Sequence, residues 1–398
     1  MRIVTFSTLY PNGARPNHGI FVETRLRQLL ASGRIEAKVV APVPWFPWRN
    51  PRFGRFAAAA SAPRREQRYG IDVLHPRYLA VPGIGRSASP VLLAAGALPV
   101  IKRLLRHGFD FDLIDAHYFY PDGVAAALLG ARLNKPVVIT ARGTDINLFP
   151  RYALPRKMIQ WAAARAAAIV TVSAALNSVL AELGVERSKV TVLRNGVDTR
   201  LFRPSSDRMA ERARLRLAGT VLLMVGNLVP LKGHHLVIAA LGELPDAHLL
   251  IIGEGAEEGK IRDQARMLGV SDRVTFLGGM AQERLAAYYA AADVLVLASS
   301  REGWPNVLLE SMACGTPVVA TSVGGTPEIV AAPEAGMLMS ERSTRGCLET
   351  IRNLLGNYPQ RAATRIYAER FGWEEITAGQ LAIFGRTIES AELRARAA

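Results

Sequence analysis

Short runs of aliphatic and β-branched residues alternate with stretches of helical period along the whole chain. Parallel α/β sheets produce that rhythm. In the first half, Arg2–Ser7, Ala37–Ala41, Ile71–His75, Asp112–Ala116, Val137–Thr140, Ile169–Val172 and Lys189–Leu193 predict strands. Helices are expected at Phe21–Ser32, closed by Gly33, at Pro121–Leu133, and at Leu176–Leu183, closed by Gly184. The second half restarts the alternation with strands at Thr220–Gly226, His248–Gly253, Arg273–Leu277, Asp293–Leu297 and Pro317–Thr321. Asn195-Gly196 and Pro204-Ser205-Ser206-Asp207 place a boundary near residue 200. From Pro359 onward the pattern is helical only, with Trp373 opening an amphipathic stretch. The expected architecture is therefore α/β, with two parallel-sheet domains in tandem and a cleft between them. Open parallel sheets bind ligands beyond the carboxyl ends of their strands, so the loops after strands should carry the chemistry.

Composition narrows the class. A length of 398 residues suits two domains, and 49% hydrophobic with 21% charged residues is globular rather than disordered. Two cysteines, Cys314 and Cys347, without a pairing motif exclude a disulfide scaffold and a thiolate zinc site, and suit a reducing cytosol. The longest apolar run, Pro90–Ile101, is shorter than the ~20 residues a bilayer core requires. The first six residues read as a buried strand, not as a signal peptide. The protein is thus expected in the cytoplasm, or peripheral on the inner face of the cell membrane.

The formal charge of +15 is unevenly spread. Residues 1–200 hold 28 Lys+Arg against 12 Asp+Glu, a net +16, whereas residues 201–398 hold 21 against 22, a net −1. Residues 45–77 contain Arg49, Arg52, Arg55, Arg64, Arg65, Arg68 and Arg77, interleaved with Trp45, Phe46, Trp48, Phe53, Phe56 and Tyr69. Arginines for anionic headgroups with aromatics for the headgroup boundary predict an anionic membrane partner. A solvated loop with a few core aromatics is the plainer alternative. Nucleic acid is not expected as a partner: no helix-turn-helix, zinc or RNP-type element is present, and the aromatics do not alternate as a stacking platform.

Two motifs mislead. Gly253-Glu254-Gly255 sits between strand and helix, but the third glycine of a dinucleotide fingerprint would fall at Glu258, and Glu257 and Glu258 would repel a pyrophosphate. Asp110-Phe111-Asp112 has the spacing of a metal-holding DxD, yet it begins a strand, at the wrong edge of the sheet. More informative is Ser300 to Glu310. Here a strand ends, a loop carries Glu302, Pro305 suits a first helical turn, and Glu310 follows a turn and a half later. The free amides of Asn306, Val307 and Leu308 are expected to present the positive end of a helix dipole to a diphosphate. Elsewhere the loop Asn227–Gly233 brings Lys232 to a strand end, and other strand ends deliver His117, Arg142-Gly143-Thr144-Asp145, and the loop through His18-Gly19. Acidic decoration of a helix N-terminus would explain the two glutamates alone. It does not explain five polar loops at strand ends.

Taken together, Glu302…Glu310 spaced E-x7-E, Met312–Ala320, Val323-Gly324-Gly325-Thr326-Pro327-Glu328, Asn195-Gly196-Val197-Asp198 with Phe202-Arg203-Pro204, and Val225–Gly233 resemble the family-4 retaining glycosyltransferases of the GT-B fold. The resemblance runs from the Tyr10–Glu23 loop to the Trp373 helix. It implies two Rossmann-like domains: residues 1–200 binding the acceptor, and residues 201–370 binding the nucleotide sugar. Residues 371–398 would form a helix returning to the first domain, with a helix packed only on its own domain as the alternative. By resemblance Glu310 holds the nucleotide ribose, Glu302 contacts donor-sugar hydroxyls, Lys232 meets the diphosphate, His117 lies beside the donor sugar, and Gly19 marks a loop closing over the diphosphate. The family's usual arginine is Asn227 here. That substitution removes a bidentate phosphate partner, and Arg142 is the candidate replacement.

The implied reaction is hexosyl transfer, with retention, from a UDP- or GDP-hexose to a hydroxyl of a glycan or lipid-linked acceptor in polysaccharide or cell-envelope biosynthesis. No cofactor and no divalent metal are expected, and no metal-binding residues are assigned. A nucleotide-sugar 2-epimerase on the same fold is the nearest competing reading, and a basic nucleic-acid-binding protein the next.

Overall fold

A computed structural model describes residues 1–80 and 85–397. The chain divides into two units, Met1–Arg194 with Glu374–Ala398, and Asn195–Trp373. The divisions fall at 194/195 and 373/374 instead of at 200 and 370.

Among the described residues unit 1 contains ten strands: β1 Arg2–Phe6, β2 Glu36–Val40, β3 Val43–Pro44, β4 Arg65–Arg68, β5 Ile71–Leu74, β6 Arg77–Tyr78, β7 Leu113–His117, β8 Val137–Ala141, β9 Ala168–Thr171 and β10 Val190–Val192. Eight of them form one sheet in the order β10-β9-β8-β7-β1-β2-β5-β4, while β3 and β6 pair separately as a short parallel ribbon. Every neighbour in the large sheet is parallel except β4 against β5. The seven strands expected from sequence all appear, shifted by no more than a few residues at their ends. The central strands β1, β7 and β8 are buried on both faces, as a helix-covered parallel sheet demands, whereas the outlying β10 has no buried position. Strand β7 is buried at all five positions yet contains Asp115 and His117, which marks it before any chemistry is considered.

The helix Glu374–Ala397 belongs to unit 1. Leu381, Ile383 and Phe384 join a core with Val22, Leu26 and Leu29 of the helix Ile20–Ala31. Arg25 fastens the two helices from inside. Its Nε donates to Gln380 Oε1, and its Nη1 reaches the carbonyls of Leu193 and Arg194, both at 3.3 Å. A guanidinium at 1% exposure persists only because these acceptors are supplied.

The helix Gly85–Arg106 extends the apolar run of the sequence in both directions, through Pro90 and Pro99. By length and composition Ser87–Arg106 could cross a membrane, and it is one such helix among the described residues. Here Pro90, Leu93, Ala97 and Ile101 form its buried stripe, at helical spacing, against the rest of unit 1.

Unit 2 carries one parallel sheet of β11 Thr220–Val225, β12 Ala247–Ile252, β13 Val274–Phe276, β14 Val294–Leu297, β15 Val318–Thr321 and β16 Gly336–Met339, in the order β13-β12-β11-β14-β15-β16. Its core packs Leu222, Leu249, Val294 and Val319 of the sheet against Val237, Ile238, Leu241, Ile351 and Leu354 of the covering helices. Both cysteines are free and buried within this unit. The two passages of chain that bound unit 2 run side by side, with Val197 N–H donating to the Phe371 carbonyl (2.9 Å). A side chain at Gly196 would meet Trp373 and the carbonyls of Phe371 and Gly372 at 3.0 Å.

Candidate active site

In unit 2 the polar loops gather at the carboxyl edge of the sheet because their backbones are packed on one another. After β11 the chain turns through Asn227–Val229 into a short turn, Pro230–Lys232, and enters the helix His234–Leu241 at Gly233. Gly233 has φ +72°, and a Cβ there would lie 2.1 Å from the Ala298 carbonyl oxygen. Only glycine permits both the conformation and the approach. The contact seats this loop on the end of β14, where Ser300 N–H donates to Leu231 O (2.8 Å). Lys232 and Glu302, seventy residues apart in sequence, consequently meet with Nζ 2.5 Å from Oε1. A third loop supports Glu302 from beneath: Gly324, at φ +54°, would bring a Cβ to 2.0 Å from the Glu302 carbonyl oxygen. Gly324 of the motif is thus a packing requirement for placing a carboxylate.

The helix Asn306–Ala313 begins directly after this loop, with Pro305 in extended geometry before it. Leu308 N–H, expected to be free, instead donates to the Pro305 carbonyl (3.1 Å), while the amides of Asn306 and Val307 have no carbonyl one turn back within the helix, so the helix start presents donors and a positive dipole end. Asn306 is held by Asn195, whose Nδ2 donates to its Oδ1 at 3.1 Å, while Trp304 Nε1–H donates to the Asn195 carbonyl (3.0 Å). By sequence alone, Leu308, Leu309, Met312 and Ala313 stand at core spacing and Glu310 falls on a different face of the helix. The structure corrects this: Glu310 is buried at 8% exposure along with its neighbours. Its carboxylate accepts from Tyr289 Oη (2.9 Å) and from Gln282 Nε2 (3.3 Å). Burial pushes its pKa up to about 7 despite both bonds, which act to lower it. Near Lys232 and Glu302 in the chain, His234 Nδ1, Ser299 Oγ and Thr326 Oγ1 are buried polar atoms without a hydrogen-bond partner among the described residues. Asn227 is exposed at the loop's surface.

In unit 1 the corresponding edge is organised around β7. His117 ends the strand at 1% exposure, with Nε2 3.0 Å from Asp115 Oδ2 and Nδ1 2.7 Å from Arg142 Nη2. A guanidinium can only donate, so Nδ1 accepts and the proton sits on Nε2, directed at Asp115. The imidazole is therefore neutral with both nitrogens engaged. Burial lowers its pKa, opposed by Asp115 and assisted by the charge on Arg142. Arg142 is itself buried, its guanidinium carbon 5.3 Å from the Phe21 ring centroid, and burial brings its pKa down to about 9. The guanidinium expected at a phosphate is thus engaged with the His117 imidazole within unit 1.

Asp145 is fully buried, and its carboxylate accepts from the backbone amides of Phe119 (2.5 Å), Gly143 (2.6 Å) and Arg142 (3.1 Å), so it shapes two loop backbones. Gly19, at φ +70°, caps the helix Ile20–Ala31 and would place a Cβ 2.3 Å from the Leu9 carbonyl oxygen. The loop between is tied to the strand edge by Asp122, which accepts from Thr8 N–H (2.6 Å), Thr8 Oγ1 (3.0 Å) and Ser7 Oγ (3.2 Å). Ser7 Oγ lies also 2.9 Å from the His117 carbonyl.

The comparisons with known proteins agree with this arrangement. A family model described as glycosyl transferases group 1 matches residues 206–371, and one described as glycosyltransferase family 4 matches residues 84–201. A D-inositol 3-phosphate glycosyltransferase from Mycobacterium bovis is 31% identical over 361 residues, 83% of this chain and 74% of its own. The chain belongs to the family-4 glycosyltransferases. TuaC of Bacillus subtilis, a glycosyltransferase assigned to teichuronic acid biosynthesis, is 29% identical over 358 residues, 88% of either chain. Among solved structures, Anabaena HepE in complex with UDP-glucose superimposes with a TM-score of 0.72 at 21% identity, covering 98% of this chain and 99% of its own. The fold is that of the GT-B glycosyltransferases.

Within this glycosyltransferase the structure brings Lys232 to Glu302, and His117 to Arg142. The Asn227 side chain, exposed in its loop, joins neither pair. Several contributors escaped the sequence reading: Asp115, Asp122 and Arg25 in unit 1, and Tyr289 and Gln282 in unit 2. Asp115 had a usable signal, since it lies two residues before His117 on a strand and so shares its face. Tyr289 had none, because nothing local relates it to Glu310.

Proposed function

We propose that this glycosyltransferase moves a hexosyl group from a nucleoside diphosphate sugar to an acceptor hydroxyl, with retention at the anomeric carbon and without a divalent metal. The observation carrying this reading is the Lys232–Glu302 pair, 2.5 Å apart, at the sheet edge just before the helix Asn306–Ala313. A cation and free helix amides suit a diphosphate, a carboxylate suits sugar hydroxyls, and a second buried carboxylate, Glu310, suits the ribose diol. UDP-glucose bound to HepE on the same fold supports a uridine nucleotide as the first donor to try.

The difficult step is departure of the nucleotide diphosphate, on which negative charge builds as the glycosidic bond breaks. Lys232 Nζ and the amides at Asn306 and Val307 stabilise that charge where it develops, from positions fixed before the reaction. Lys232 is paired with Glu302 within unit 2. Donor binding gives the ammonium a phosphate and the carboxylate a set of hydroxyl donors, so the pair exchanges one partner for two. Unit 1 takes the acceptor. Its excess of positive charge, and the relative in teichuronic acid biosynthesis, support a lipid-linked envelope glycan met at the inner face of the cell membrane.

The test follows transfer by proton NMR in excess EDTA. The anomeric coupling of the first-formed product is expected to match that of the donor, with the rate within about two-fold of the metal-supplemented reaction. An inverted product contradicts retention. Loss of turnover in EDTA, restored by manganese, contradicts the metal-free account.

A further inference from the structure

Unit 1 holds two stretches without a single acidic residue, 37–65 and 73–109, which carry eleven lysines and arginines between them. The fold sets these stretches beside each other. Strand β3 pairs with β6, Trp45 N–H donates to the Tyr78 carbonyl at 2.7 Å, and β6 lies against the helix Gly85–Arg106 at Gly96, where a Cβ would meet the Arg77 carbonyl at 2.6 Å.

What this region exposes is apolar as well as basic. Trp45, Trp48, Leu79 and Val91 are each more than half exposed, and Phe56 is 36% exposed. Phe46 sits among Trp48, Phe53 and Phe56 with ring centroids 5.3–5.5 Å away, and Trp48 stacks on Phe53 at 5.6 Å. The rings of Phe46, Trp48, Phe53 and Phe56 are thus packed edge and face on one another as one cluster, with the exposed Trp45 next to it in the chain. A nucleic-acid platform would leave successive faces open for bases.

The cations of residues 45–77 fall into two groups. Arg68 is bound to Glu23 (2.5 Å), Arg65 to Asp72 (3.0 Å), and Arg77 donates to the carbonyls of Ala59 and Ala62. These three hold unit 1 together. Arg49, Arg52 and Arg64 are exposed, with Arg52 4.9 Å from the Phe53 ring. Arg49 and Arg64 are close enough to Arg77 to join burial in lowering its pKa. The side chain of Arg55 lies outside the described residues.

We propose that the aromatic cluster Trp45–Phe56, with Arg49, Arg52 and Arg64 around it, is a docking surface for an anionic lipid bilayer. Indole and phenyl rings enter the headgroup boundary and the guanidinium groups meet lipid phosphates. The face is narrower than the sequence implied, since Arg65, Arg68 and Arg77 take no part. It rests on the proposed lipid-linked acceptor for its purpose, but it is tested without donor or acceptor.

The experiment is flotation of the full chain with vesicles of phosphatidylcholine, alone or mixed with phosphatidylglycerol, at low and at high salt. Wild type is expected to float with the anionic vesicles at low salt, to lose most of that binding at high salt, and to ignore neutral vesicles. Each arginine at such a surface contributes roughly five-fold in partitioning, so Arg49→Glu with Arg52→Glu should reduce flotation by more than ten-fold. Trp45→Ala with Trp48→Ala should reduce it comparably at an unchanged melting temperature. Arg345→Glu, the same charge change on the surface of unit 2, should float as wild type does. Failure of wild type to bind anionic vesicles, or wild-type flotation of either double variant, overturns the proposal. So does retention of a single-stranded oligonucleotide that depends on Trp45 and Trp48 while vesicles are ignored. A melting-temperature rise with UDP or GDP in the same samples reports on the donor site independently.

Discussion

Glu310 keeps its proton to higher pH than an ordinary glutamate because it is buried, and that has a consequence for catalysis. A carboxylate accepts both hydroxyls of a ribose diol, whereas a carboxylic acid has lost part of that capacity. With the pKa raised to about 7, donor affinity should climb as pH rises through that value and fall below it. The kcat/KM profile is expected to show an acid limb near 7. Tyr289→Phe removes a donor that favours the ionised form, so the limb should move to higher pH. Glu310→Gln should abolish the limb and cost roughly 10- to 100-fold in kcat/KM, as losing a hydrogen bond to a charged acceptor does. A limb unchanged in both variants would assign the titration elsewhere. Arg142 makes a second prediction. Because it holds the proton on His117 Nε2, Arg142→Ala should lower kcat and alter the pH profile while leaving UDP or GDP affinity within about two-fold. A selective loss of nucleotide affinity would return Arg142 to the phosphate.

At the scale of elements, glycines with positive φ under a neighbouring loop determine where the site's side chains stand. Gly233→Ala combines a left-handed backbone with a Cβ 2.1 Å from a carbonyl oxygen, and is expected to destabilise unit 2 by at least about 2 kcal/mol. Gly259→Ala, in the helix Glu258–Met267 with nothing within 4 Å, should instead stabilise by up to about 1 kcal/mol. Urea midpoints of the two variants should move in opposite directions. The same reasoning explains the misleading Gly253-Glu254-Gly255. Gly253 (φ +147°) would place a Cβ 1.9 Å from the Gly226 carbonyl oxygen, and Gly255 one 2.2 Å from that of Leu228, so both glycines serve loop packing. Asp112, of the other misleading motif, accepts from Arg2 N–H (2.7 Å), and Asp110 pairs with Lys135 (2.7 Å).

Strands buried on both faces were legible because each is a continuous apolar run. Those that were missed draw their stability from partners. Strand β4, Arg-Glu-Gln-Arg, reads as a charge run and exists as an antiparallel edge on β5. Strands β3 and β6 have two residues each. The helix Gly85–Arg106 was hidden by Pro90 and Pro99, residues that ordinarily end a helix. Site legibility divided the same way. Lys232, Glu302 and Glu310 stand in loops or helices directly after strands, whereas Tyr289 and Gln282 reach Glu310 from a helix that no sequence spacing connects to it.

For the whole molecule, charge separates the tasks: +16 in the first 200 residues and −1 in the remainder. In the proposed reaction the nearly neutral half meets a dianionic nucleotide with one lysine and helix amides, so donor affinity should depend weakly on bulk salt. Any membrane attachment made by the basic half should depend on it strongly. Glu302 couples the donor's two ends. Glu302→Gln frees Lys232, so UDP or GDP alone should bind as tightly as to wild type or a few-fold tighter, while turnover of the sugar nucleotide falls. The central claim is that Lys232 and Glu302 form a nucleoside diphosphate sugar site, and calorimetric titration of UDP and UDP-glucose (then GDP and a GDP-hexose) in EDTA tests it most directly. Wild type should bind one of the pairs, Lys232→Ala should weaken both members roughly 10- to 100-fold, and Glu302→Gln should weaken the sugar nucleotide alone. Equal affinities across all three proteins, or no binding by wild type, would contradict the account.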